Sequence, residues 1–357
     1  MRRLPDYPWD RLAPYREVAG RHSGGVVDLS IGTPVDPVPA VVRQALFDYG
    51  DRPGYPTTAG TAELRAAITD WLVRHCGATT ASGVLPTIGS KELVAWLPTL
   101  LGVGPGDLVA IPRLSYPTYE IGTLLAGADI VRTDDPTTID DPRLKLVWLN
   151  SPGNPTGAVL SARRLAELVA WARDRGVTVV NDECYLSLGW ETTPTSILDT
   201  EVCGERPTGV LAAHSLSKRS NLAGYRAAFI AGDPELINRL LHVRKHAGMI
   251  VPFPVQGAMI AALTDEKHAD EQRDRYRRRR DLLAAALRDN GWRIDHSEAG
   301  LYLWATQGRN TWDSIADLAE RGIIAGPGEF YGPDGAEHVR FALTATDATI
   351  TTATSRL

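Results

Sequence analysis

A lysine flanked by hydroxyls stands near the middle of the chain, in Ser215-Leu216-Ser217-Lys218, and an arginine, Arg226, follows eight residues later in SLSKRSNLAGYR. An amine is a nucleophile only when partly desolvated or neighboured by another cation, because an ordinary lysine is protonated at neutral pH. Arg226 could supply that cation and also grip a phosphate with its planar fork, while Ser215 and Ser217 add hydroxyl donors. With no acidic neighbour, the pattern reads as an amine held beside a phosphate. A motif this short is also what a polar surface loop looks like, so its surroundings must decide.

Those surroundings alternate between helix and strand patterns. Residues 61–72 carry apolar residues three and four apart behind a threonine, which predicts a helix. Residues 85–88 read as a short strand feeding Gly89-Ser90 and then a helix through Leu93, Val94, Trp96 and Leu97. Further strand-like runs lie at 108–111, 144–149, 177–181 and 210–214, with a helical window at 163–173. Strands separated by helices predict an α/β fold with a mostly parallel sheet covered on both faces. Ligands of such sheets bind beyond the carboxyl ends of the strands. There the chain places NSPGNPTG (150–157), DECY (182–185) and the lysine loop. Three consecutive strand ends thus deliver an amide, a carboxylate with a phenol, and an amine. Singly, Asn154 could shape its turn, Asp182 cap a helix and Tyr185 pack in a core; together they read as a site.

Composition narrows the function classes. The 357 residues include 38 basic and 43 acidic side chains, a net charge of -5, with no basic field for nucleic acid or anionic lipid. The run Tyr276-Arg277-Arg278-Arg279-Arg280 leads into DLLAAAL and reads as one face of an amphipathic helix over 276–287. Cys76, Cys184 and Cys203 are scattered and odd in number, which fits a reducing cytoplasm and no zinc site. Arg2 and Arg3 are followed by no apolar run, so no signal peptide is expected, and no apolar stretch reaches the length of a membrane span. No GxGxxG or GxxxxGK[ST] follows a strand.

NPTG, DECY, SLSK and the arginine eight residues beyond the lysine occur in order, after GYPTTAG (54–60) with its Glu-Leu-Arg helix and before HVRFAL (338–343). Over nearly its whole length the chain resembles the fold-type I, pyridoxal-phosphate-dependent aminotransferases of class I/II. The resemblance implies a large domain at 40–235 with the mostly parallel sheet. A smaller α/β domain at 236–357 would be joined by an N-terminal arm at 1–39, and would close over substrate. Within it, strands are expected at 300–304 and 339–343, with a flexible loop at 326–332 near the cleft.

The resemblance also assigns roles. Lys218 would carry the cofactor as a Schiff base and move the proton between the substrate α-carbon and C4′. Asp182 would keep the pyridine nitrogen protonated, Asn154 and Tyr185 would bond the phenolic oxygen, and Tyr116 would stack on the ring. Gly89, Ser90 and Lys91 at a helix start, with Ser215, Ser217 and Arg226, would cradle the phosphate. Tyr55 would reach in from the neighbouring subunit of a homodimer with shared active sites, or else buttress its own turn. Arg340 would clamp the substrate carboxylate, and Gly32 would let the arm approach closely.

Finer likeness is to actinobacterial enzymes assigned as N-succinyldiaminopimelate aminotransferases of lysine and diaminopimelate biosynthesis. These pass an amino group from N-succinyl-L,L-2,6-diaminopimelate to 2-oxoglutarate. Such a donor has extra carboxylates, for which Lys91, Arg113 and Arg219 are candidates or else solvent-facing charges. An aspartate or aromatic aminotransferase, or a carbon-sulfur lyase of the same fold, would share these motifs. A ligand-sensing regulator is disfavoured, since the landmarks begin by about residue 30 and leave no room for a DNA-binding module.

Overall fold

A computed structural model describes residues 4–357; Arg2 and Arg3 lie outside the described residues. Strand β1 (Val27–Leu29) belongs to a smaller sheet. The larger sheet comprises β2 (Gly83–Ile88), β3 (Leu108–Ile111), β4 (Asp129–Arg132), β5 (Leu144–Asn150), β6 (Thr178–Asp182), β7 (Val210–Ser215) and β8 (Ala227–Gly232), ordered β2-β8-β7-β6-β5-β3-β4. Neighbours β4, β3, β5, β6 and β7 run parallel, and β8 alone is reversed, between β7 and β2. The α/β expectation is borne out.

Alternation along the strands explains why helices cover both faces. Val147, Leu149, Val179 and Ala212 enter one core with Trp71, Leu165 and Phe229, while Leu146, Trp148, Val180 and Leu211 enter the opposite core with Leu93, Leu97 and Tyr119. Successive side chains point to opposite faces, so a strand that is apolar throughout must be buried on both. The helix predicted at 61–72 runs over Ala62–Cys76, started by the Thr61 hydroxyl accepting from the Leu64 amide at 3.2 Å and stopped by Gly77 in the left-handed region.

The second sheet contains β9 (Arg293–Ile294), β10 (Tyr302–Thr306), β11 (Ile323–Pro327) and β12 (His338–Ala342), ordered β1-β11-β12-β10-β9. Here β1 of the N-terminal arm pairs in parallel with β11. Its own core includes Leu29, Tyr276, Leu303, Ile324 and Phe341. The segment expected as a flexible loop at 326–332 is otherwise: Gly326 and Pro327 end β11 and Gly328–Tyr331 forms a 3-10 turn, mostly buried. Its glycines serve close packing, since a Cβ on Gly328 would lie 2.8 Å from the Trp304 ring.

Candidate active site

Because β2, β3, β5, β6 and β7 share one direction, their carboxyl ends lie on one edge of the sheet, and reversed β8 begins there. That edge receives Gly89-Ser90, Tyr116, Asn150, Asp182 and Ser215. Register keeps them adjacent: Asn150 stands opposite Asp182, and Ile88 and Ser215 stand opposite Ala227 and Ala228, just after Arg226. Together with the N-terminal arm and the second sheet the edge bounds a cleft of about 700 Å³. Gly32, Ser90, Lys91, Tyr116, Asn154, Asp182, Tyr185, Ser215, Ser217, Lys218, Arg226 and Arg340 all line it. Tyr55 does not, being 95% exposed on its loop.

At one end is a cradle for an anion. Helix Ser90–Leu100 starts after Gly89 with no side-chain cap, leaving its first amides to whatever binds there. A Cβ on Gly89 would overlap the Arg226 guanidinium, which donates to the Ala223 carbonyl at 2.8 Å and meets no carboxylate among the described residues. The Ser215 hydroxyl accepts from the Ser217 amide at 3.2 Å, turning the lysine segment back across the strand end. Burial, then the Arg226 charge, pulls the Lys91 ammonium below the usual lysine range.

Deeper in, Asp182 is 5% exposed and accepts from the Tyr119 hydroxyl at 2.9 Å and the Cys184 amide at 3.2 Å. Burial raises its carboxyl above the usual range, against those two bonds. No cation pairs with it among the described residues, an expensive arrangement unless a ligand brings one. Its neighbour Glu183 points to the sheet's other face, where Asn181, Ser196 and the Ile197 amide donate to it at 2.9, 2.7 and 2.6 Å.

The Lys218 ammonium donates to the Gly32 carbonyl. Burial, aided by the charges of Arg340 and Arg226, holds its pKa below the usual range, as a nucleophilic amine requires. Arg340 on β12 is 3% exposed, donates to Asn154 Oδ1 and to the Ser30 carbonyl, each at 2.8 Å, and has a buried Nε without a partner. No carboxylate neutralises it among the described residues. Amine and guanidinium are anchored two residues apart on one segment, at Gly32 and Ser30, a span of at most about 7 Å.

Comparison with known proteins decides what this arrangement belongs to. Residues 24–357 match the family model "Aminotransferase class I and II". The chain is a class I and II aminotransferase. It is 55% identical over 358 residues to the 4-dedimethylamino-4-oxo-anhydrotetracycline transaminase OxyQ of Streptomyces rimosus, covering all of both chains. It is 33% identical to the LL-diaminopimelate aminotransferase of Desulforudis audaxviator, covering 100% of this chain and 96% of that one. Its structure resembles a probable N-succinyldiaminopimelate aminotransferase from Thermus thermophilus with TM-score 0.86 at 27% identity, covering 98% and 100% of the two chains.

This aminotransferase uses pyridoxal phosphate, as its family does, and its own residues fit that group. Among the described residues, a buried carboxylate lacking a cation suits a ring nitrogen, uncapped amides beside a guanidinium with no carboxylate partner suit a phosphate, and a depressed lysine suits an aldehyde.

Three functional positions do not stand out in the sequence. Asn150 ties the loop together, donating to the Pro152 and Asp182 carbonyls at 3.1 and 2.9 Å and accepting from the Asn154 amide at 2.8 Å. Its one signal is its place as the last residue of a strand opening on NSPGNPTG. Tyr119, in the SYPTY stretch, anchors Asp182, and its ring stacks on Trp148 with centroids 4.8 Å apart. Tyr302 sits in an apolar strand run that reads as plain core. Two of the three cations suggested for distal carboxylates are spent elsewhere: Arg113 forms a two-pronged pair with Asp334 at 2.6 and 2.7 Å, and buried Arg219 pairs with Glu266. Only Lys91 of the three lines the cleft.

Proposed function

We propose that the cleft moves an amino group between N-succinyl-L,L-2,6-diaminopimelate and 2-oxoglutarate. Arg340 carries the reading: a buried fork with no acidic partner accepts an α-carboxylate bidentately and fixes the α-carbon near Lys218. Bound pyridoxal phosphate supplies an electron sink for the charge left when that carbon loses its proton. Lys218, kept basic and partly dry, takes this proton and returns it. Asp182 holds a proton on the ring nitrogen, Asn154 and Tyr185 address the phenolic oxygen, Tyr116 covers the ring, and Ser90, Ser215, Ser217 and Arg226 hold the phosphate.

The diaminopimelate skeleton is supported by the LL-diaminopimelate and N-succinyldiaminopimelate relatives, and by a cleft that continues past Lys91 to Leu4, Tyr7 and Trp9. A second reading, a ring-bearing oxo acceptor like that named for the Streptomyces rimosus relative, is supported by the 55% identity and by the aromatic rim. There the Tyr7 and Trp9 rings lie 5.5 Å apart, and Trp9 and Phe330 5.3 Å. The reading includes a cytoplasmic homodimer, supported by the free cysteines and by Phe47 and Tyr55, which are 80% and 95% exposed. It includes the division at 39 and 235, supported by the two sheets and their separate cores. Glutamate formation from each candidate donor with 2-oxoglutarate tests the reading. Efficient turnover of aspartate or tyrosine with none of succinyldiaminopimelate sinks the donor, and amination of a polycyclic ketone from glutamate establishes the second reading.

A further inference from the structure

Tyr302 touches three of the residues singled out from sequence, Arg340, Tyr185 and Gly32. On β10 it stands opposite Ala342 while Trp304 stands opposite Arg340, so Tyr302 and Arg340 are diagonal neighbours on one face of the sheet. The Arg340 guanidinium carbon lies 3.8 Å from the Tyr302 ring centroid. The Tyr302 hydroxyl is 3.2 Å from that of Tyr185, and either can be the donor. The ring packs against Gly32, where a Cβ would fall 2.8 Å from two ring carbons, and the Gly32 carbonyl takes the Lys218 bond. One phenol therefore joins the carboxylate clamp, the lysine's anchor and the hydroxyl aimed at the cofactor.

We propose that Tyr302 is a positioning residue that couples carboxylate occupancy of Arg340 to the proton shared between the hydroxyls of Tyr302 and Tyr185. The titratable groups around Tyr302 are Tyr185, Cys184, Lys218, Tyr116 and Tyr331, beside the Arg340 cation. Burial works to raise its phenol, but Arg340 and Lys218 outweigh burial and hold it below the free value. With Arg340 uncompensated, its charge makes the Tyr302 hydroxyl the more acidic of the pair and the better donor, so Tyr302 donates to Tyr185 and the Tyr185 proton faces the cleft. A carboxylate on Arg340 cancels that charge, so Tyr185 donates to Tyr302 instead and its proton turns away from the cleft, withdrawing a hydrogen bond from the phenolic oxygen. Substrate binding would thereby switch a hydrogen bond at the cofactor's phenolic oxygen without any movement of the backbone. This rests on the functional reading above.

The test uses the pyridoxal-phosphate-loaded protein and glutarate, a dicarboxylate with neither amine nor oxo group. The bound cofactor's absorbance is titrated against pH with and without saturating glutarate. In the wild type glutarate raises the midpoint by about one pH unit, the scale of one neutralised nearby charge. In Tyr302→Phe the rise drops to less than half, while the glutarate concentration for half-saturation stays within threefold. Tyr185→Phe keeps Tyr302 and breaks the hydroxyl pair, so it gives the same loss should the first variant fold poorly. An equal rise in wild type and both variants, or no rise in the wild type, overturns the inference. A chain that forms no cofactor chromophore overturns the functional reading instead.

Discussion

Gly89→Ala probes the phosphate cradle through a single methyl group. Gly89 has φ 79° and ψ 151°, a region open to glycine and costing other residues about 1–3 kcal/mol. That part of the penalty weakens the helix start whether or not cofactor is bound. The second part acts on binding, because the new Cβ occupies the position of the Arg226 guanidinium and must push it off the anion. A charge-assisted hydrogen bond is worth about 1.5–3 kcal/mol. At about 1.4 kcal/mol per tenfold, pyridoxal phosphate should bind roughly ten- to a hundredfold more weakly. Equilibrium titration of cofactor absorbance into apo-protein measures this, and a thermal melt of the apo-protein separates the backbone cost. Since the methyl acts through Arg226, Gly89→Ala added to Arg226→Ala should weaken binding no further. Fully additive losses, or an affinity within threefold of wild type for Gly89→Ala alone, would refute the reasoning.

Lys218→Ala should abolish nearly all turnover and leave no cofactor trapped by borohydride at position 218; trapping at another lysine in the wild type would displace Lys218 from its role. Tyr55→Ala should weaken cofactor binding about tenfold, and in a mixture with an otherwise inactive Lys218→Ala chain some activity should return if the two residues act across subunits; sedimentation showing only monomer removes that role. Burial holds His214 neutral, with its pKa down to about 3. An unfolded chain takes up that proton below about pH 6.5, so the associated stability is full above 6.5 and falls with pH, by about 2 kcal/mol at pH 5. Urea midpoints between pH 7 and 5 should therefore drop less for His214→Gln than for wild type, and parallel drops would show that His214 is not the group responsible.

The strands that carry the site were legible because each is a short, wholly apolar run ending in a polar cluster. β8 escaped notice because its AAFIAG run has small residues and little side-chain pattern, and β4 because its DIVR segment is only half-buried at the sheet edge. The helix predicted from 276 starts at Lys267, and its first turns, KHADEQRDR, are polar on nearly every face, so periodicity had nothing to register there. Individual side chains followed the same divide. Lys218, Asp182 and Asn154 stand in local motifs, whereas the role of Tyr302 exists only through the register of β10 against β12. Arg113 and Arg219 show the converse: a free charge in sequence is spent once Asp334 and Glu266 arrive from distant parts of the chain.

The adjacent acids Asp182 and Glu183 have one further implication, for how the chain tolerates insertion. Both are buried, yet one faces the cleft unneutralised and the other faces the rear already saturated by three donors. A one-residue insertion in β6 would exchange their faces. The cleft would then receive a carboxylate on a longer stem and the rear pocket one too short for its donors. Loops of this enzyme can drift in length, but β6 is fixed in phase: deep sequence scanning should find substitutions along it and almost no insertions or deletions.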